Sequence, residues 1–118
     1  MTRDEAARAF AEKARWGFDG EAFYRGGMTG LGERTAFPAP DAPLPEMLEF
    51  VGRVAVAIGA RDVAVSWTRT LFKNRVGFVL SPDPRAPDAK RHERHGYHEG
   101  GDLCHAALLA ALAALESR

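Results

Sequence analysis

Glutamine is missing from the 118 residues, and asparagine, isoleucine and cysteine occur once each, at Asn74, Ile58 and Cys104. A single cysteine excludes an internal disulfide. Three lysines stand against thirteen arginines, a bias that fits a GC-rich genome and, with the scarce amides, thermophiles, but assigns no function. The formal charge is zero, so the chain is not built to neutralise a phosphate backbone and nucleic acid is not favoured as a partner. No apolar run reaches the roughly 20 residues of a membrane helix. The opening MTRDEAARAF places acids where a signal peptide has a basic and then an apolar stretch, so a cytoplasmic protein is expected. Also missing are a GxSxG elbow, a Gly-Lys-Ser/Thr phosphate loop, zinc-finger or metalloprotease spacing and paired carboxylates on one element, which weighs against an enzyme.

What is present suffices for one domain over residues 1–118, since 46% hydrophobic residues can bury a core without staples. Thr2 and Glu5 form a TxxE capping box. It opens a helix to about Trp16, with Ala6, Phe10 and Ala14 inward and Gly17 as its stop. Six glycines between Gly17 and Gly32, followed by FPAPDAPLP, read as a Gly/Pro-rich connector over about 17–43, with at most a turn or short strand at 21–25. A second helix is expected from near Pro45 to Gly59, its main stripe Leu44, Leu48, Val51, Ala55 and Ile58, widened by Met47, Phe50 and Val54. Gly52 in its interior costs about 1 kcal/mol against alanine, which predicts close packing there.

Alternation then predicts strands over 62–72 and 75–80, joined by a turn at Lys73 and Asn74, with Trp67 and Phe78 as cross-strand core partners. Residues 81–95 form a polar loop. A short third strand is expected over 95–99, carrying Tyr97. Asp102 then caps a closing helix without Gly or Pro, whose inner stripe is Cys104, Leu108, Ala111, Leu112 and Leu115.

Two clusters carry candidate chemistry. Arg25 and Arg34 flank the GGMTGLG run, and glycines can let backbone amides converge on an anion. Farther on, four histidines and the cysteine fall within fourteen residues. His92, His95, His98 and Cys104 are possible ligands of a zinc ion, with Glu93, Glu99 and Asp102 as oxygen donors. An extended segment would send His95 and His98 to opposite faces, and Cys104 belongs to an inner stripe, so a solvated loop and a buried thiol are the plainer readings. Lys90, Arg91, Arg94 and Tyr97, with the imidazoles, could instead form an anion or partner surface that strengthens below about pH 6.5.

The order of helix, proline-bearing linker, helix, hairpin and YHEGGDLCHAALLAALAAL resembles the phage ABA-sandwich domain, over about residues 44–115. That resemblance implies a phage or mobile-element origin and carries over no catalytic residue. The expected fold is α+β, a small antiparallel sheet of two or three strands packed against three helices. The expected function is non-enzymatic: an accessory protein that binds a host or phage protein and acts against host defence. A binder of a small anion such as a nucleotide, and a metal-dependent enzyme using the histidines, are the alternatives. An uncovered sheet edge would favour a homodimer.

Overall fold

The computed structural model describes residues 1–25, 33–68, 73–80, 93–99 and 102–116. Its elements run α1 (Arg3–Ala14), β1 (Trp16–Phe18), β2 (Ala22–Arg25), β3 (Glu33–Ala36), α2 (Leu44–Ala57), β4 (Ala60–Thr68), β5 (Lys73–Leu80), β6 (Glu93–Glu99) and α3 (Leu103–Glu116). Among the described residues, three helices and two three-stranded antiparallel sheets make an α+β protein.

Thr2 begins α1 as expected. Its hydroxyl oxygen accepts from the Glu5 N–H at 3.2 Å and its O–H donates to the Glu5 carboxylate at 3.0 Å, so one side chain satisfies a free amide and anchors an acid at the positive helix end. The stop is earlier than glycine placement suggests. Arg15 takes the left-handed conformation (φ 60°), its N–H reaching the carbonyls of Ala11 and Glu12. A non-glycine residue there costs about 1–2 kcal/mol. The turn frees Trp16 to enter a strand, where its ring meets Phe10 edge-on at 5.4 Å.

The expected connector over 17–43 therefore contains a sheet, in the order β1-β2-β3. Trp16 pairs with Arg25 and Phe18 with Phe23, while Arg25 pairs with Glu33 and Phe23 with Thr35. Asp19 fixes the first turn by accepting from the Glu21 and Ala22 amides at 2.8 and 2.9 Å and from the Tyr24 hydroxyl at 2.7 Å. Those bonds, the Tyr24 one foremost, hold its carboxyl down at about 2. Burial of aromatic rings outweighs the entropy of ordering Gly17 and Gly20. Phe23 lies within 6.0 Å of Phe10, Trp16, Phe18, Phe37 and Phe50 and ties the sheet to α1 and α2.

In α2 Met47, Phe50, Val51, Val54 and Ala55 are buried, followed by Ile58, as expected, but the two leucines that open the stripe are not. Leu44 and Leu48 are 44% and 42% exposed. Gly52 is exposed too, and a Cβ there would meet nothing within 4 Å. The expected close packing at Gly52 is absent because it faces a cleft. Gly59 (φ 72°) follows the helix as expected.

The second sheet has the order β4-β5-β6. Lys73 and Asn74 lie inside β5, and Asn74 is buried opposite Trp67 and His98. Phe78 pairs with Val63 and Arg94 instead of Trp67. The shift follows from where the strands meet. Thr68 pairs with Lys73, so the connection takes residues 69–72. The third strand is longer than expected, from Glu93 to Glu99.

Helix α3 is buried nearly all round and packs on β5, β6, α1 and α2. Leu108, Cys104 and Ala111 are fully buried, and Leu112 nearly so. A Cβ on Gly96 would overlap the Ala106 carbonyl and the Ala110 amide, so the helix backbone rests on the strand itself. Alanines at 106, 107, 110 and 111 permit this approach. No helix among the described residues is long and apolar enough to cross a membrane.

Candidate functional site

Two places gather polar side chains. At the start of α3 the Asp102 carboxylate, itself buried, accepts the His105 amide at 3.1 Å, as expected of an N-cap. It also takes the Arg3 Nε at 2.8 Å. This second partner joins residues 99 apart in the chain, which no local spacing reveals. The Arg3 guanidinium lies over Phe37, its carbon 3.7 Å from the ring centroid, a cation–π contact in a partly dry site.

His105 is buried beside Asp102. Its Nε2 is 3.2 Å from the Met1 carbonyl, which can only accept, so Nε2 carries the proton of the neutral ring. Its ring centroid is 4.2 Å from that of His98. Burial first, and then the neighbouring His98, push the His105 pKa below the usual histidine value against the pull of Asp102. Cys104 is fully buried, and burial, reinforced by the Asp102 charge, raises its thiol to about 12. Almost no thiolate exists at neutral pH.

The second place is the space between the first sheet and α2. Arg53 bridges it, with Nη1 on Glu33 of β3 and Nη2 on Glu49 at 3.3 Å. These carboxylates raise the Arg53 pKa further above its ordinary value. On one side of this strut lies a cleft of about 380 Å³ reaching Arg34, Pro38, Glu46 and Phe50. On the other is a wider one of about 630 Å³ walled by Trp16, Arg25, Gly52, Val56 and Ala57. Both fall in the size range of small-molecule sites. Thr35, buried, borders both.

No family model matches this chain, and comparison with the curated proteins and with solved structures finds no match either.

The residues singled out in the sequence are dispersed. Arg25 and Arg34 enter different clefts, on either side of Arg53. Lys90, Arg91 and His92 lie outside the described residues. Arg94 pairs with Phe78 and His95 with Gly77 in the β5–β6 register. Tyr97 is exposed, with the Lys73 ammonium 5.5 Å from its ring centroid. His98 meets His105, a residue outside the expected ligand set. Among the described residues no group of three or more His, Cys, Asp or Glu is placed to hold a metal ion. Trp16, Glu33, Gly52 and Arg53, which shape the wider cleft, were not legible as a set. The signal was faint: a Glu49 and Arg53 pair at i, i+4, and a glycine in mid-helix.

Proposed function

We propose that this protein acts by binding another protein through the outer face of α2, as a non-enzymatic accessory factor. One observation carries the reading. Leu44, Leu48, Gly52 and Val56 follow each other at steps of four, and the three with side chains are 44%, 42% and 73% exposed. Residues at i±4n form one ridge along a helix, and such ridges interlock with those of a second helix at about −50°. Gly52, with open space around it, lets the partner backbone come close at mid-ridge. Scattered exposed apolar residues are ordinary, but a continuous line of them on one helix is a surface for association.

The buried, protonated Cys104 supports a reading without nucleophilic chemistry. The resemblance of the element order to phage ABA-sandwich domains supports a phage or mobile-element factor whose partner is a host or phage protein, and interference with host defence is the role in keeping with that origin. The occupant that fits the ridge is an amphipathic helix. The test is co-purification from host cells, comparing the natural chain with the double variant Leu44→Glu/Leu48→Glu. A partner retained by the first and lost by the second, with unchanged circular dichroism, is the expected result. No partner, or one retained equally by both, would overturn the reading.

A further inference from the structure

The wider cleft beside Arg53 has a composition of its own. Trp16 and Arg25 are directly paired across β1 and β2, so their side chains start on the same face with Cβ atoms about 4.5–5.5 Å apart. Trp16 is half-buried, its ring held by Phe10 at 5.4 Å and Phe23 at 6.0 Å. It is a fixed aromatic wall. Glu33, next in the same cross-strand row, is occupied by Arg53. Arg25 is exposed and makes no ion pair with a described residue, which leaves its guanidinium open to a ligand at the cleft wall. Opposite, Gly52 opens the helix side: a Cβ there would touch nothing within 4 Å.

We propose that this cleft binds a small flat aromatic monocarboxylate, its ring against the Trp16 indole and its carboxylate on Arg25. An offset or edge-on aromatic pair and a forked guanidinium–carboxylate bond are the two interactions the wall offers. The charge of the occupant follows from the neighbours. Glu33 and Glu49 line the same cleft with Arg53 and Arg25, so the wall charges sum to zero, and a phosphate monoester would add about 1.5 to 2 uncompensated negative charges at neutral pH. A carboxylate carries one charge. About 630 Å³ accommodates one or two fused rings. Gly52 and Val56 of the α2 ridge also line this cleft whereas Leu44 and Leu48 do not, so Leu44→Glu/Leu48→Glu, which should lose the partner protein, leaves the wall for the aromatic acid intact and tells the two readings apart.

The test is a titration of the nitrogen-15-labelled full chain, following the two indole N–H signals and assigning Trp16 by its loss in Trp16→Phe. The probes are benzoate and indole-3-acetate, their neutral amides, cyclohexanecarboxylate and AMP. Expected is a saturable shift of the Trp16 signal with the aromatic acids. Binding should be roughly tenfold weaker or worse for the amides and for Arg25→Gln, as loss of a charged hydrogen bond requires. Gly52→Leu should abolish binding with an equal or higher thermal midpoint, since leucine favours the helix and fills the cleft. The proposal is overturned if no aromatic acid shifts Trp16 saturably up to millimolar concentration, if acid and amide bind alike, if AMP binds more tightly than the acids, or if Gly52→Leu binds as well as the natural chain.

Discussion

Gly96 of β6 lies so close to Ala110 of α3 that a Cβ on the glycine would overlap the Ala110 amide and stand 2.7 Å from its Cα. The obstacle is backbone and cannot rotate away. Helix and strand are held at this spacing by burial on every side of α3, so room can be made only by lifting the helix off the sheet.

Gly96→Ala should therefore destabilise the protein by about 3 kcal/mol, the upper range for overpacked interiors. A urea transition with a lower midpoint and an unchanged slope is the expected outcome. A midpoint within error of the natural chain would mean the contact is looser than described.

Asp102 serves two partners, the His105 amide and the Arg3 guanidinium. Asp102→Ala removes the helix cap and leaves Arg3 facing Phe37 without its anion. A lost cap costs about 1 kcal/mol and a broken, largely buried pair more. A total of about 2–4 kcal/mol is expected in chemical denaturation, and Asp102→Asn, which keeps a capping oxygen, should lose clearly less.

Acid should weaken the fold before carboxylates begin to titrate. His105 is held below its ordinary value of 6.5 by burial and by His98, with Asp102 pulling the other way and the Met1 amine adding a small like-charge push. The unfolded chain then binds the proton more readily than the folded one, so stability is greatest above about pH 6.5 and declines as pH falls below it. Thermal midpoints measured between pH 7.5 and 5.5 should drop in the natural chain and drop less in His105→Gln.

The Cys104 thiol, buried and raised to about 12, should resist a thiol reagent in the native state and react as fast as a free cysteine in denaturant. Labelling by mass spectrometry at neutral pH distinguishes the two. Rapid native labelling would place the sulfur at the surface.

The periodic parts of this fold were legible from sequence, because the helices and β5, with Val76 and Phe78, bury apolar residues at regular steps, although Val63 of β4, expected on the covered face, is exposed. Thr2, Asp102 and Gly59 marked helix ends through chemistry local to each end. The first sheet showed only in its middle strand, where a short strand over 21–25 was expected. Its strands span three or four residues among glycines, too short for alternation to register, and the ordering force is a ring cluster drawn from four elements and the stretch before α2. The exposure of Leu44 and Leu48 was also hidden, because they are as apolar as the residues α2 buries. At the sites, single residues were visible but their grouping was not: Arg25 belongs with Trp16, and His98 with His105, through strand and helix contacts that no sequence interval records.

The pairing of Arg3 with Asp102 has a consequence for the birth of the chain. Helix α1 completes its contacts only when α3, some 99 residues on, has been made, and closures over such distances are slow to form. In the interval its Phe10 has nearer companions, since Trp16 follows six residues and Phe23 thirteen residues later. The aromatic sheet can shelter the nascent helix, leaving a mostly alanine flank to wait for its final neighbour.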